Sequence, residues 1–369
     1  YPLDFTIMRD KIPIFSVEAS YMAEPGVGYI KVSRFSATTM KEFREKLVEL
    51  KDKGMKDLIL DLQGNGGGYL RTAIDMADEF LGDRKLVVYT EGRTSPRDDT
   101  YATKEGLFEK GRLVVLVDEG SASASEIVSG AIQDWDRGLI VGRRSFGKGL
   151  VQRPVMLSDG SAVRLTVSRY YTPSGRSIQK SYEDGLEAYQ QEKIDRLAKG
   201  ELTFADSIHN ADTVKFFTMN KRIVYGGGGI MPDVFVPIDT TLSSNYFGQL
   251  VRKGILNTFA LAQVDEQRSK LLAAYSGPEA FRKQFTVDVT LISKLVTYAG
   301  KEGIEGDADG LARSKELISL RLKALIARDL WDTSAYWEVI NADNPVDRSF
   351  QKALEALTDG SFQRFGMVK

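Results

Sequence analysis

Short apolar runs alternate with segments of helical spacing in the first half of the chain. The apolar runs lie at residues 29–32, 58–62, 86–89, 113–117 and 139–141. Between them, apolar residues recur every three or four positions at 40–50, 70–81 and 123–135, which predicts amphipathic helices. Strands that alternate with helices of this length pair in parallel through right-handed crossovers. The sequence therefore predicts an α/β layer structure.

The pattern changes after residue 148. Residues 151–157 and 162–171 alternate with period 2 around the turn Asp159-Gly160, which predicts an antiparallel hairpin, so the sheet structure is expected to be mixed. Residues 182–220 are charge-rich and are predicted to form a mostly helical excursion. From about residue 241 the strand signals stop and helical spacing continues to the end. We therefore predict a core at 27–240 and a C-terminal helical domain at 241–369.

Residues 1–26 are too few to form a domain. They carry one strand-like run at residues 5–8, followed by a polar link that contains proline. We interpret this segment as the tail of an upstream unit.

Composition and charge exclude several classes of function. The 369 residues include 50 Lys plus Arg and 51 Asp plus Glu, a formal net charge of -1, and no cysteine. The absence of a basic patch argues against nucleic-acid binding. No apolar run approaches the roughly 20 residues of a membrane-spanning helix. The lack of cysteine excludes disulfides, thiol nucleophiles and cysteine zinc sites, and we expect neither a metal nor an organic cofactor.

The chain contains a single histidine, His209, in a polar stretch. A Ser-His-Asp triad needs an imidazole as its base, but no strand-to-turn pattern surrounds His209. We interpret it as a surface residue, so hydrolytic chemistry in this chain would use another base.

Two small-residue segments could supply that chemistry. Ser123 lies between a buried strand and a helix N-terminus, where open α/β sheets place their ligands. Ser123 and Glu126 also fit a capping box, so the alternative is that Ser123 only caps the helix. Lys148 lies between two glycines just before the predicted hairpin, and the alternative there is a solvated loop lysine.

A serine becomes a nucleophile when a neighbouring base removes its proton, and lysine can be that base when it is neutral. An unperturbed lysine has a pKa of about 10.4 and is almost always charged at pH 7. For a lysine to act as the base, it must therefore lie in apolar surroundings, without a carboxylate that would stabilise its charged form. Phe146, Leu150 and Val151 are apolar neighbours in sequence that fit this requirement.

A glycine-rich loop at residues 61–69 follows another predicted strand. It is not a dinucleotide fingerprint, since Tyr69 occupies the place of the third glycine, and it lacks the Gly-Lys-Ser/Thr of a P-loop. Its backbone N–H groups could instead stabilise an oxyanion. We predict an oxyanion hole formed by the N–H of Ala124 and that of Gly66 or Gly67.

Five segments of the chain together resemble the carboxy-terminal processing, or tail-specific, peptidases, which are serine peptidases with a Ser/Lys dyad. These segments are residues 61–69, 120–126, 145–152, 172–179 and 225–233. The resemblance extends from about residue 28 to residue 237 in consistent order. It implies a layered, mixed-sheet (ClpP/crotonase-like) α/β peptidase core to which the C-terminal helical domain is added.

The resemblance also assigns roles to single residues. It implies that Ser123 is the nucleophile, Lys148 the general base and Gln152 a residue that helps to hold the lysine. Asp134 matches an acid present in some members, and we interpret it as structural because about three helical turns separate it from Ser123.

The family resemblance carries expectations about partners and location. Members usually have a PDZ domain before the core, so residues 1–26 are interpreted as the remnant of such a domain and its linker. The implied partners are polypeptide substrates, and a homo-oligomer through the helical domain is a further expectation. Members are typically exported, which predicts a periplasmic or cell-envelope location.

Two other functions remain open. The first is a catalytically inactive, peptide-binding or scaffold relative whose dyad is misaligned. The second is an acyl-CoA enzyme, since layered α/β cores with glycine oxyanion loops also handle thioesters; it ranks low because it leaves Lys148 without a role.

Overall fold

The computed structural model describes residues 5–6, 8–10, 14–82, 84–103, 105–208 and 214–367. Its strands are β1 (Val17–Glu24), β2 (Val27–Val32), β3 (Asp57–Asp61), β4 (Leu86–Glu91), β5 (Asp98–Tyr101), β6 (Leu113–Val117), β7 (Leu139–Gly142), β8 (Leu150–Met156), β9 (Ala162–Tyr171), β10 (Lys215–Phe217), β11 (Ile223–Tyr225) and β12 (Val234–Phe235). Its α-helices are α1 (Thr39–Asp52), α2 (Leu70–Asp78), α3 (Ala124–Asp134), α4 (Gly185–Ala198), α5 (Asn245–Arg252), α6 (Ile255–Ala274), α7 (Pro278–Gln284), α8 (Val289–Lys301), α9 (Ala308–Leu330), α10 (Thr333–Asp343), α11 (Ser349–Ala356) and α12 (Ser361–Arg364).

Two main sheets form the core, and the predicted α/β class is confirmed. The larger sheet has the strand order β1-β2-β3-β6-β7-β12 and is parallel except for the β1/β2 pair. The smaller sheet is antiparallel, has the order β5-β4-β9-β8, and contains the predicted hairpin. The mixture of parallel and antiparallel strands is as the change of period predicts.

Both faces of the larger sheet are buried, which explains why β6 is wholly apolar and why β3 is apolar between its two terminal aspartates. Leu58 and Leu60 of β3 point into a core shared with α1, α2 and α3. The alternate residue, Ile59, points to the opposite face, because successive side chains of a strand alternate. There it shares a core with Phe350 of α11 and Phe362 of α12.

The C-terminal helical region consequently belongs to two cores. The helices from α5 to α10 enclose a hydrophobic core of their own. Helices α11 and α12 instead cover the second face of the larger sheet, where the ring of Phe350 meets that of Tyr29 edge-on at 5.5 Å. Helical spacing alone predicts one domain at 241–369, because it does not reveal the apolar partner against which a helix buries its face.

The core also begins earlier than the predicted boundary at residue 26. β1 pairs antiparallel with β2, from Val17 opposite Val32 to Glu24 opposite Val27, around a tight turn in which Gly26 has a φ of 83°. The hairpin places β1 within the core sheet, so residues 17–24 are not part of an upstream unit. The strand predicted at residues 5–8 is not found: residues 5, 6 and 8 lie outside any strand, and residue 7 lies outside the described residues.

The start of α1 differs from what local spacing predicts. Thr39 and Glu42 have the spacing of a capping box, but the cap residue of α1 is Thr38 and its side chain makes no capping bond. The Glu42 carboxylate instead accepts hydrogen bonds from the backbone N–H groups of Ser16 and Val17 at 2.7 and 3.0 Å. Glu42 thereby fixes the start of β1.

None of the described helices has both the length and the apolar character needed to cross a bilayer.

The packing of α11 on the sheet predicts a large effect of Phe350→Ala. Removing this buried ring leaves a cavity against Tyr29, so we expect the free energy of unfolding to fall by about 3–5 kcal/mol in urea denaturation. Phe217→Ala is the control, because that ring is 52% exposed; it should change the free energy by no more than about 0.5 kcal/mol. Equal effects of the two substitutions would contradict the packing described.

Candidate active site

Three loops meet at one edge of the larger sheet. The glycine loop (residues 62–69) follows β3, the serine loop (residues 118–123) follows β6, and the lysine loop (residues 143–149) follows β7. Since β3, β6 and β7 are parallel neighbours, their carboxyl ends lie at the same edge, where open α/β sheets place their sites. The topology therefore brings the three predicted segments together.

Ser123 has an unusual backbone conformation at the end of the serine loop. Its φ of 57° and ψ of -111° lie in a region that non-glycine residues rarely adopt and that costs about 1–3 kcal/mol. A helix cap normally has an extended backbone. The capping-box relation to Glu126 is present, but capping does not require this conformation. A sharp strand-to-helix turn of this kind is how nucleophilic serines are presented in other hydrolases.

The buried carboxylate of Glu126 joins the serine loop to the lysine loop. Its Oε2 accepts hydrogen bonds from the backbone N–H groups of Ser123 at 2.7 Å and Lys148 at 2.9 Å. Its Oε1 accepts from the N–H of Gly147 at 2.7 Å and the hydroxyl of Ser145 at 2.5 Å. Burial raises the pKa of Glu126, and these hydrogen bonds oppose the rise. The serine and the lysine are thus attached to the same oxygen atom.

The hydroxyl of Tyr170, on β9, joins the same two residues from the other side. It lies 2.6 Å from the carbonyl oxygen of Lys148 and 3.0 Å from that of Ser123, and its one hydrogen is shared between these two acceptors. Burial, with a further contribution from Glu126, raises the pKa of Tyr170 well above its usual value, so the hydroxyl remains a donor. Sequence reasoning did not single out Tyr170, whose only signal is its inward position in the alternating pattern of the hairpin.

The Lys148 side chain is half-buried, as is Ser123. Within the described part of the chain, the Lys148 ammonium has neither a carboxylate partner nor a hydrogen bond. This matches the requirement for a base without an adjacent acid. Of its apolar neighbours in sequence, Leu150 and Val151 are half-buried, and the ring of Phe146 packs edge-on against another aromatic ring.

Gln152 makes no hydrogen bond to Lys148. It is exposed on β8, and its side chain makes no hydrogen bond to any residue that the structure describes. The reason is that β8 leaves the core soon after Leu150, and most of the β8/β9 hairpin is exposed. The role of Gln152 as a residue that orients the lysine stays a prediction.

Backbone donors lie beside Ser123. The N–H of Ala124, the first residue of α3, has no acceptor among the described residues, as is usual in a first helical turn. Gly67 packs closely against Ser123 and Ala124. A Cβ at Gly67 would lie 2.7 Å from the Ser123 Cβ and 2.9 Å from the Ala124 nitrogen. The Gly67 N–H already donates to Asn65 Oδ1 at 2.9 Å. The N–H of Gly66 has no acceptor within the described chain, so it is the glycine donor that this arrangement leaves available.

Asn65 organises the glycine loop and was missed by sequence reasoning. It is fully buried, and its amide nitrogen donates to the Val32 carbonyl oxygen at 2.8 Å. The backbone carbonyl oxygen of Asn65 accepts hydrogen bonds from the Ala122 N–H at 3.0 Å and the Ser125 hydroxyl at 2.8 Å. In the sequence, the feature that could have indicated this role is that Asn65 is the one amide side chain between Gly64 and Gly66.

Asp134 lies at the far end of α3 from Ser123. Its carboxylate accepts from Arg176 Nη2 at 2.7 Å and from the Ser174 N–H at 3.0 Å, and both members of the ion pair are buried. These contacts hold a turn at residues 172–175, which closes with a 2.9 Å bond from the Gly175 N–H to the Thr172 carbonyl oxygen. They support the predicted structural role of Asp134.

The charged excursion packs on the lysine loop. Arg196 of α4 donates to the carbonyl oxygens of Arg144 at 2.7 Å and Ser145 at 3.1 Å, and Glu201 pairs with both arginines. His209 lies outside the described residues. Within those that are described, no three His, Asp or Glu side chains are grouped so as to hold a metal ion.

Comparisons with known proteins find similar sequences for part of the chain. Residues 26–187 match the model of peptidase family S41, and residues 246–332 match that of a family of unknown function. The carboxyl-terminal-processing protease of Synechocystis sp. is 42% identical over 182 residues, which cover 48% of this chain and 42% of that protein. A carboxy-terminal processing protease of Bacillus subtilis is 38% identical over 178 residues, which cover 48% and 38%.

Among solved structures, the photosystem II D1 C-terminal processing protease is 37% identical, with a TM-score of 0.40 and coverage of 46% of this chain and 47% of that chain. The present chain spans less than half the length of the curated relatives cited.

The shared carboxylate predicts that Glu126→Gln disrupts the site. An amide offers one acceptor oxygen and turns its NH₂ group toward donors, so buried N–H groups lose their partner. We expect the free energy of unfolding to fall by about 1–3 kcal/mol in urea denaturation. Glu187→Gln, on an exposed position of α4, is the control and should have almost no effect. A Glu126→Gln protein as stable as the wild type would show that the four bonds do not hold the loops.

Proposed function

We propose that this chain, whose residues 26–187 match peptidase family S41, is a serine endopeptidase with a Ser123/Lys148 dyad. Its proposed substrates are unfolded or C-terminally exposed polypeptides, and its similarity to carboxyl-terminal-processing proteases supports the second of these. The observation that carries the proposal is that Ser123 and Lys148 share one carboxylate oxygen of Glu126 and one hydroxyl of Tyr170. Their side chains therefore start from adjoining points of the backbone.

In the proposed mechanism, the neutral Lys148 amine takes the proton of the Ser123 hydroxyl as Oγ bonds to the substrate carbonyl carbon. The N–H groups of Ala124 and Gly66 donate to the oxyanion that forms. The C–N bond then breaks, and Lys148 returns the proton to the leaving amine. Water, deprotonated by the same amine, attacks the acyl-enzyme, and Ser123 is released with its proton restored.

One observation favours a second candidate, an inactive relative that binds peptides. Gln152 is exposed and makes no hydrogen bond to Lys148, so the residue proposed to orient the base does not hold it in this arrangement. We further propose an exported location and a homo-oligomer through the helical region; both rest on the family resemblance.

The dyad predicts that Ser123→Ala and Lys148→Ala each abolish reaction with a fluorophosphonate probe and digestion of casein. We expect a fall in casein digestion of at least about a thousandfold, because the nucleophile and its base act as a unit. The adduct on Ser123 is identified by mass spectrometry of the wild-type chain.

Ser158→Ala and Lys41→Ala are matched controls on exposed positions of the hairpin and of α1, and should keep wild-type activity. Retained peptide binding without labelling would favour the inactive relative. Undiminished digestion by Lys148→Ala would reject lysine as the base.

A further inference from the structure

The residue Asp347 contacts the active-site loops from outside the segment that matches the peptidase family. It lies between α10 and α11, and its Oδ1 accepts from the Ser349 N–H at 2.9 Å, which closes a local turn. Its Oδ2 accepts from Arg143 Nη2 at 2.9 Å and from Gln63 Nε2 at 3.2 Å. Gln63 belongs to the glycine loop and Arg143 is the first residue of the lysine loop.

Arg143 extends this contact to the serine loop. Its Nε donates to Glu119 Oε2 at 2.9 Å, and Glu119 lies four residues before Ser123. The Arg143 side chain is 3% exposed, while those of Glu119 and Asp347 are 14% and 19% exposed. One buried guanidinium thus bridges a carboxylate of the serine loop and a carboxylate of the C-terminal region.

The charges in this cluster make the arrangement stiff. A planar guanidinium that is hydrogen-bonded to two carboxylates has a fixed orientation, and such charge-assisted bonds are stronger than neutral ones. Burial opposes the charge on Asp347, but Arg143 outweighs it and lowers the pKa of the carboxyl group, which is therefore ionised at neutral pH. Removing the Asp347 carboxylate would leave the buried Arg143 with Glu119 as its only carboxylate partner among the described residues, and the three loops would lose the contact that joins them.

We propose that Asp347 is a positioning residue for the peptidase reaction, which holds the glycine, serine and lysine loops in register. It acts through Gln63 and Arg143 and does not touch the reacting atoms. The C-terminal region then supplies part of the alignment of the nucleophile, the base and the oxyanion donors. This inference rests on the proposed function.

The test compares Asp347→Asn with a matched control, Asp359→Asn. Both aspartates accept a backbone N–H two residues ahead at 2.9 Å and pair with an arginine, but only Asp347 contacts the active-site loops. For each full-length variant, the rate of fluorophosphonate labelling, kcat and KM on fluorescein-labelled casein, and the urea midpoint are measured.

We expect Asp347→Asn to lower the labelling rate and kcat by about 10- to 100-fold, since small displacements of reacting groups have effects of this size. KM should stay within about twofold, because substrate contacts are unchanged. Asp347→Glu, which keeps the charge, should recover most of the rate, and Asp359→Asn should label like the wild type.

If Asp347→Asn does not fold, Gln63→Met tests the same contact, because it removes the hydrogen bond from Gln63 to Asp347. This variant should also lower the labelling rate without raising KM. Wild-type labelling of a folded Asp347→Asn or Gln63→Met protein would overturn the proposal, as would an equal loss in Asp359→Asn. A wild-type chain that is not labelled at all would instead refute the proposed function, and the inference would fall with it.

Discussion

The buried carboxylate of Glu126 is the interaction on which the rest of the site depends. Taking a carboxylate out of water is costly unless donors replace its hydration. Here the donors come from the serine loop and the lysine loop, with both oxygens of the carboxylate occupied. Each loop therefore stabilises the other through a group that neither could bury alone. The unfavourable backbone of Ser123 is tolerated because the surrounding contacts determine its position.

The same constraint explains how the proposed base, Lys148, can be positioned without a carboxylate partner among the described residues. Glu126 and Tyr170 hold Ser123 and Lys148 by their backbone atoms. Neither contact uses the Lys148 amine, which has no carboxylate partner within the described residues. A side-chain salt bridge would fix the amine equally well, but it would favour the charged form and remove the base. Backbone attachment separates the positioning of these residues from their chemistry.

Periodicity and local spacing predicted most of the core but not its partners. The central strands and α1 to α3 were predictable because their apolar patterns reflect burial on one or two faces. Ser123 and Lys148 were recognisable from small residues at strand ends. Tyr170 and Asn65 were not, because their roles depend on which loops the sheet topology brings together. The β1 strand was missed because its side chains are only partly buried and its pattern is weak.

The conformation of the hairpin and the helices on the second sheet face are also decided by tertiary contacts. An alternating pattern predicts that β8 and β9 pair, but not that they extend away from the core and take Gln152 with them. Similarly, the apolar faces of α11 and α12 resemble those of the preceding helices, and only the structure distinguishes their partners.

The division of the chain by packing differs from its division by sequence similarity. Residues 246–332 match one family, and the helices there enclose their own core. Residues 349–367 lie beyond both matched segments, yet they bury the second face of the sheet that carries the active-site loops. Asp347 lies two residues before this last segment, so the ion cluster and the covering helices reach the sheet at neighbouring points of the chain. The core that carries the candidate site is therefore discontinuous in sequence, with a helical unit inserted between its main part and the helices that complete it.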